Sequence, residues 1–387
     1  MPLKIEQVPI EKLTFDPSNA RKHSDANLAA IAESLKQFGQ RKPIVVNAEN
    51  VIVAGNGTVE AARLLGLTDV DVVRVPKHWN ADQVKAFALA DNRTAELAEW
   101  NPEVLSAQLL ELDEAGFDIE ALGFELQEPA DSELLVEDEV PEAFTPRVAK
   151  GDLWQLGEHR LFCGDSLDAK SYETLLAGES AQMLFTDPPY GVDYEGVNND
   201  HLKAEAFRAF LTDALTLSFQ HLKAGSNAYV WHADVHAYEA IGSFRDAGFV
   251  QAKPPTIQWV KDSLVLSQGD YHSRNEPCLF GWKDGPKRVR VSDRTQDTVW
   301  EAPKPKRAEG HPTMKPVEIC ARAMRNSSKP GFIILDVFAG SGSTLIACEK
   351  LKRKARLIEM DETYCDLIIE RWETLTGEKA VLDNASR

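Results

Sequence analysis

Phe332-Ile333-Ile334-Leu335-Asp336-Val337-Phe338-Ala339-Gly340-Ser341-Gly342-Ser343-Thr344 is the stretch that decides the fold. Its first seven residues form a continuous apolar run with one acid, the pattern of a strand buried on both faces. A glycine-rich turn follows, then helical spacing from Leu345 to Leu351, then a second strand pattern, Ala355 to Ile358, closed by Glu359. Strand, glycine turn, helix, strand and acid make the first unit of a nucleotide-binding α/β fold. The glycines let backbone approach a ligand, and the helix N-terminus adds partial positive charge. Glu359 is placed for ribose hydroxyls. NAD and FAD enzymes share this Gly-x-Gly pattern, but a third glycine is absent, as suits a cofactor without a pyrophosphate.

Upstream, Ala181-Gln182-Met183-Leu184-Phe185 reads as a short buried strand running into Thr186-Asp187-Pro188-Pro189-Tyr190-Gly191-Val192. Two consecutive prolines cannot donate to a sheet or sit inside a helix, so they fix a rigid loop at the strand's carboxyl end. That is where open α/β sheets bind ligands. The loop offers a carboxylate, carbonyls with no competing N–H, and an aromatic ring. Together these suit a planar base with an exocyclic amine, whose two N–H groups need acceptors and whose face can stack. The plainer reading is a Pro-Pro turn with a surface tyrosine.

Asp187-Pro188-Pro189-Tyr190 resembles the catalytic motif of the amino-group DNA methyltransferases, which act on adenine N6 or cytosine N4. Asp336-Val337-Phe338-Ala339-Gly340-Ser341-Gly342 resembles their S-adenosylmethionine motif. The resemblance covers roughly residues 150–375 and implies an α/β fold, a Rossmann-like S-adenosylmethionine-dependent methyltransferase domain. The catalytic motif precedes the cofactor motif, the circularly permuted order of the family's beta class. Gly164-Asp165-Ser166 resembles the segment whose acid approaches the cofactor's adenine. His311-Pro312-Thr313-Met314-Lys315-Pro316 resembles the segment that opens a helix near its methionine part. Tyr271-His272-Ser273-Arg274-Asn275-Glu276 falls where the family surrounds the target base, and Trp231-His232 ends a further strand pattern, Asn227 to Val230. Each of these segments also reads as ordinary loop or core.

The resemblance implies catalytic roles for Asp187, Pro188, Pro189 and Tyr190. It implies cofactor roles for Asp165, Lys315, Pro316, Asp336, Phe338, Gly340, Gly342, Thr344 and Glu359, and no metal. Hydrogen bonds from the amine to Asp187 and the Pro188 carbonyl would localise a lone pair otherwise delocalised into the ring. A duplex hides that amine, so the base must flip out, with Tyr190 as its stacking partner. Aspartate before Pro-Pro-Tyr leans towards adenine N6, the serine form being commoner among cytosine N4 enzymes. The implied partner is double-stranded DNA, in a restriction-modification setting; a homodimer is common in the class. The alternatives are a cytosine N4 enzyme, an RNA methyltransferase, and a ParB-like DNA-binding or regulatory protein with an inactive methyltransferase half.

At 387 residues the chain has room for two domains or three. Its five cysteines, Cys163, Cys278, Cys320, Cys348 and Cys365, form no Cys-x-x-Cys pair and fall mostly in apolar stretches. They read as reduced, buried thiols of a cytoplasmic protein. No signal-peptide run and no membrane-length apolar segment is expected. A net charge of −18 argues against a protein that coats polyanions, but the charge is uneven. Residues 129–146 hold six acids and no Lys or Arg, and read as a linker. Lys287, Arg288, Arg290, Arg294, Lys304, Lys306 and Arg307 cluster in a loop-rich stretch with Pro303 and Pro305. Residues 284–312 are therefore the candidate target-recognition region of a methyltransferase domain spanning 147–387. A solvated charged loop is the alternative.

Residues 1–100 read as a separate small α+β domain, and 101–146 as a helical segment with the acidic linker. Ser24 is placed to cap a helix bearing Leu28, Ile31, Leu35 and Phe38 on one face, with Gly39 as its stop. Pro43 to Val46 and Val51 to Val53 read as two strands. Gly55-Asn56-Gly57-Thr58 reads as an anion-binding loop before a Thr-capped helix from Val59 to Leu65. Asn19-Ala20-Arg21, Ser34-Leu35, Gly39-Gln40, Pro43-Ile44, Val53 to Thr58, Ala61-Ala62 and Ala90-Asp91-Asn92-Arg93 together resemble the ParB/sulfiredoxin N-terminal domain. Partition proteins of that superfamily carry Gly-Glu-Arg-Arg where this chain has Gly55 to Thr58. The two missing arginines weigh against nucleotide hydrolysis. No cysteine lies in residues 1–162, which excludes sulfiredoxin chemistry.

Overall fold

The computed structural model describes residues 4–124, 146–190, 204–265, 270–286, 288–291, 295–304 and 314–383. Lys287, Arg294, Lys306, Arg307, His311 to Thr313, Gly191-Val192 and nearly all of the acidic linker lie outside the described residues. The chain divides into two compact units, residues 1–126 and 127–387.

The first unit contains β1 (Ile5–Pro9), α1 (Asp25–Phe38), β2 (Ile44–Val46), β3 (Ile52–Ala54), α2 (Asn56–Leu64), β4 (Asp69–Arg74), α3 (Ala81–Glu96) and α4 (Pro102–Ala115). Its sheet has the order β1-β4-β2-β3, with β2 and β4 parallel and the other pairs antiparallel. Val8, Ile44, Val46, Ile52, Val59, Val70 and Val72 form its core. Helix α1 starts and stops where its sequence says. The Ser24 side chain accepts from the Asn27 N–H, and Gly39 takes φ 69° at the end. Phe38 is exposed at the end of that apolar face and stacks with Phe117. The Thr58 cap does not form. Gly55 adopts φ 97° and turns the chain, so the helix begins at Asn56, and Asn56, Gly57 and Thr58 are its first turn. Two separated polar motifs meet: Arg21 Nη1 donates to Asn92 Oδ1 at 2.7 Å.

The second unit holds β5 (Leu153–Leu156), β6 (His159–Cys163), α5 (Ala169–Leu176), β7 (Ala181–Thr186), α6 (Ala204–Gln220), β8 (Leu222–Trp231), α7 (Ala237–Asp246), β9 (Val250–Val265) and β10 (Ser273–Trp282). It continues with β11 (Val299–Glu301), α8 (Val317–Ser327), β12 (Ile333–Asp336), α9 (Ser343–Lys350), β13 (Lys354–Glu359), α10 (Glu362–Thr376) and β14 (Val381–Leu382). Its ten-stranded sheet runs β11-β9-β10-β8-β7-β12-β13-β6-β5-β14. The five central strands, β8-β7-β12-β13-β6, are parallel, so their carboxyl ends share one edge.

Alternation along each strand feeds two apolar layers. Met183, Phe185, Tyr229 and Trp231 pack on one face with residues of α8, α9 and α10. Leu184, Ala228, Val230 and Leu335 pack on the other with α5, α6 and α7. From neighbouring β7 and β12 the chain therefore leaves in opposite directions. It crosses from β7 through α6 on one face and from β12 through α9 on the other. This divergence leaves a crevice at their carboxyl ends, the topological switch point.

The basic segment is not all loop. β11 pairs in parallel with β9 and buries Trp300 in the core. Among the described residues, no helix is long and apolar enough to cross a membrane.

Candidate active site

Asp336 ends β12 and knots the two motifs together. Its Oδ1 accepts from Thr186 Oγ1 at 2.9 Å, at the end of β7, and its Oδ2 from Thr344 Oγ1 at 2.6 Å, in the first turn of α9. The Phe338 N–H also donates to it, at 3.2 Å. Burial pushes the Asp336 carboxyl up to about 6, against the pull of these donors. Asp336 and Thr344 thus brace the loop they were expected to serve. The strand stops at Asp336 because that carboxylate turns back to bond the chain after it, so Val337 and Phe338 belong to the turn.

The two glycines act differently. Gly342 takes φ 82°, and a Cβ there would lie 2.9 Å from Ile368 Cγ1. Gly342→Ala is expected to lower stability by about 1–3 kcal/mol, read as a fall in the urea midpoint. Gly340 takes φ 51°, and a Cβ there would meet nothing within 4 Å, so the turn opens on free space. Its N–H donates to Glu359 Oε2 at 2.8 Å, while the Asp361 N–H holds Oε1 at 2.9 Å. Glu359 is half-buried by area, yet enough protein surrounds it that burial raises its carboxyl to about 7. Gly164 N–H donates to the Glu359 carbonyl at 2.9 Å, which brings the exposed Asp165 to the same edge. Phe338 is half-buried against Phe210. Ser343 Oγ is buried with no partner among the described residues. Open space, an acid with lone pairs to spare and an unpaired hydroxyl fit a nucleoside cofactor at this turn.

The second cluster gathers around Asp187, immediately after β7. Its Oδ1 accepts from Tyr190 Oη at 2.8 Å and its Oδ2 from Lys315 Nζ at 2.8 Å. Lys315 Nζ also lies 2.7 Å from Tyr190 Oη and 2.7 Å from Glu276 Oε2. Lys261 pairs with the other Glu276 oxygen. The ammonium of Lys315, which the resemblance assigns to the cofactor, bonds Asp187 and Tyr190 in the loop after β7. Pro316 caps α8 directly after it. Two residues of this network, Lys261 and the neighbouring Trp259, carry no sequence signal at all.

Charge is balanced: two ammonium groups face two carboxylates. Burial opposes the charge on Lys315, but Asp187 and Glu276 outweigh it and hold the ammonium above its usual value. Burial also opposes ionisation of Glu276, yet Lys315 and Lys261 hold it at about 2. Asp187 is shifted the other way: burial raises it, Lys315 lowers it, and Glu276 raises it again. Burial and the two acids keep Tyr190 a neutral donor. The Asp187 side chain keeps 22% of its surface exposed, enough for a further donor to reach its free lone pairs.

Of the basic residues, Arg288 lies 3.9 Å over the Trp282 ring. Trp282 pairs with Asn227 at the end of β10 far from Glu276, so Arg288 packs away from Asp187. Arg290 is exposed on the same stretch. Lys304 lies nearer, its N–H bonded to Asp262 beside Lys261.

Residues 181–370 match the family described as DNA methylase of the N6/N4 type, and residues 3–93 match the ParB N-terminal domain. The chain is 25% identical over 240 residues to type II methyltransferase M.HpaI of Haemophilus parainfluenzae, covering 56% of this chain and 75% of that protein. It is 24% identical over 247 residues to the DNA adenine methyltransferase YhdJ of Escherichia coli K12, covering 55% of this chain and 83% of YhdJ. Its N-terminal part is 39% identical over 71 residues to the ParB-like nuclease domain-containing protein YnaK of the same organism, covering 18% of this chain and 82% of YnaK. The chain carries a DNA methylase domain of the N6/N4 type and, N-terminal to it, a ParB domain.

Proposed function

We propose that this protein methylates the exocyclic N6 of adenine in double-stranded DNA, in the cytoplasm. The observation that carries the reading is the link through Thr186 and Asp336, which sets the Asp187 acceptor beside the glycine turn. The aspartate of the motif and the likeness to an adenine methyltransferase support adenine over cytosine.

When bound, S-adenosylmethionine supplies an electrophilic methyl group on a sulfonium. Glu359 and the backbone at Gly340 would hold it, with Asp165 reaching from the neighbouring loop. The Asp187 carboxylate accepts an N–H of the flipped base and concentrates the amine's lone pair on nitrogen. The cofactor would supply its methyl group to that nitrogen as its own carbon–sulfur bond broke, and Asp187 or solvent would take the nitrogen's surplus proton. Asp187 works by position and charge. Tyr190 releases Asp187 Oδ1 as the amine arrives and offers its ring to the base. The five buried thiols support a reducing compartment.

Protonation of Asp187 removes its negative charge and part of its acceptor capacity, so activity falls as pH falls through its pKa. Because that pKa is raised, the acid limb of kcat is expected above the usual carboxylate value of 3.8, while Glu276 stays ionised to about 2. A pH–rate profile on unmodified duplex DNA tests this; a limb below 3.8 would count against it. Mass spectrometry of the methylated nucleoside decides the base, and N4-methylcytosine would move the target without changing the chemistry.

A further inference from the structure

We propose that Glu276, braced by Lys261, is a positioning residue that holds the Lys315 ammonium against Asp187 and so fixes the carboxylate for the incoming amine. This inference rests on the methyltransferase reading. The pleat supports it. Glu276 pairs with Trp259 and Cys278 pairs with Trp231, so Glu276, Cys278, Trp259, Trp231 and Lys261 face one side of the sheet. Lys315 reaches that side from the end of α8. Its backbone is held by the Pro316 cap and by Val317, Ile319 and Cys320 packed in the core.

The Lys315 side chain is 8% exposed, and its ammonium lies 5.1 Å from the Trp231 ring, 5.1 Å from the Tyr190 ring and 5.8 Å from the Trp259 ring. Rings on three sides leave it few directions in which to bond. The remaining contacts go to Asp187, Tyr190 and Glu276. Glu276 divides its two oxygens between Lys315 and Lys261, and so cannot turn without losing one. An ammonium held this way does two things to Asp187. It fixes the rotamer of the carboxylate through Oδ2, and it keeps the acceptor ionised. A cofactor residue would have its charge free for the cofactor, whereas this one is spent on the catalytic loop.

The test compares kcat–pH profiles on duplex DNA, and S-adenosylmethionine affinity, for the full-length wild type, Lys315→Met, Lys315→Arg and Glu276→Gln. Circular dichroism confirms folding of each. Lys315→Met removes the cation and is expected to move the acid limb to higher pH and lower kcat at pH 7 by about tenfold or more. Glu276→Gln removes an anion beside Asp187, keeps an acceptor for Lys315, and is expected to move the limb to lower pH. Lys315→Arg is expected to keep the wild-type limb. Affinity for S-adenosylmethionine stays within about threefold in all of them, since the proposal gives Lys315 no cofactor contact. An active wild type whose limb is unmoved in both Lys315→Met and Glu276→Gln overturns the proposal. So does a Lys315→Met that loses cofactor affinity with kcat intact. A wild type that binds S-adenosylmethionine but methylates no nucleic acid instead refutes the function on which the proposal rests.

Discussion

Asp187→Ala is expected to lower kcat for DNA methylation by roughly a hundred- to a thousandfold while leaving S-adenosylmethionine affinity within about threefold. The size follows from removing one preorganised, charged acceptor aimed at a nitrogen that gains positive charge. The split follows from topology. Asp187 follows β7, whereas Glu359 and Gly340 belong to β13 and the turn after β12. The variant should fold, because the sheet ends at Thr186 and Lys315 keeps Glu276 as its counter-ion. Asp187→Asn is the sharper comparison. It keeps an oxygen acceptor but sets an amide N–H₂ against Lys315 or Tyr190, so partial activity at best is expected. Single-turnover methylation with saturating cofactor separates the chemical step from binding.

Glu359→Gln is expected to weaken S-adenosylmethionine binding by roughly ten- to a hundredfold and to lower stability by about 1–3 kcal/mol. Hydrogen bonds to a charged group contribute about 1.5–3 kcal/mol, which corresponds to that range. In the free protein both Glu359 oxygens accept backbone N–H groups, from Gly340 and Asp361, and an amide can answer only one of them. The pH dependence is a second signature. Glu359 is raised from 4.5 to about 7 in the folded protein, so its contribution to stability is full below 4.5 and lost as pH rises through 7. Ribose hydroxyls donating to the carboxylate favour its ionised form. Binding is therefore expected to release a proton and to tighten as pH rises through about 7. Calorimetric titrations in buffers of different ionisation heat would register the proton. A pH-independent affinity would remove Glu359 from the cofactor's contacts.

The parallel core was legible because its strands are short, apolar and punctuated by glycine and proline. Ala181 to Phe185 and Ala355 to Ile358 became β7 and β13, and Ser24 with Gly39 bounded α1 as local chemistry requires. Local signals misled where backbone geometry overrode side-chain preference. Gly55 in the left-handed region started α2 before Thr58 could cap it. The stretch rich in prolines and basic residues hid β11, because Trp300 is drawn into the core whatever the charges beside it.

The active-site charges show the deeper limit. Asp187 was readable from its motif, but Lys315 lies 128 residues away along the chain, and Glu276 lies on β10, separated from β7 in the sheet by β8. Their meeting depends on β9–β10 register, which carries an irregularity between Ser273 and Asn275, and on where α8 begins. Spacing in the sequence encodes neither. A motif named Lys315 as a cofactor residue; only the paired strands show which carboxylates surround it.

The most direct test of the account is methyl transfer from labelled S-adenosylmethionine to unmodified duplex DNA, followed by nucleoside mass spectrometry, with Asp187→Ala run beside the wild type. N6-methyladenine is expected from the wild type, and at least a hundredfold less from the variant. Equal methylation by both proteins, or cofactor binding by the wild type with no methylated nucleoside formed, would contradict it.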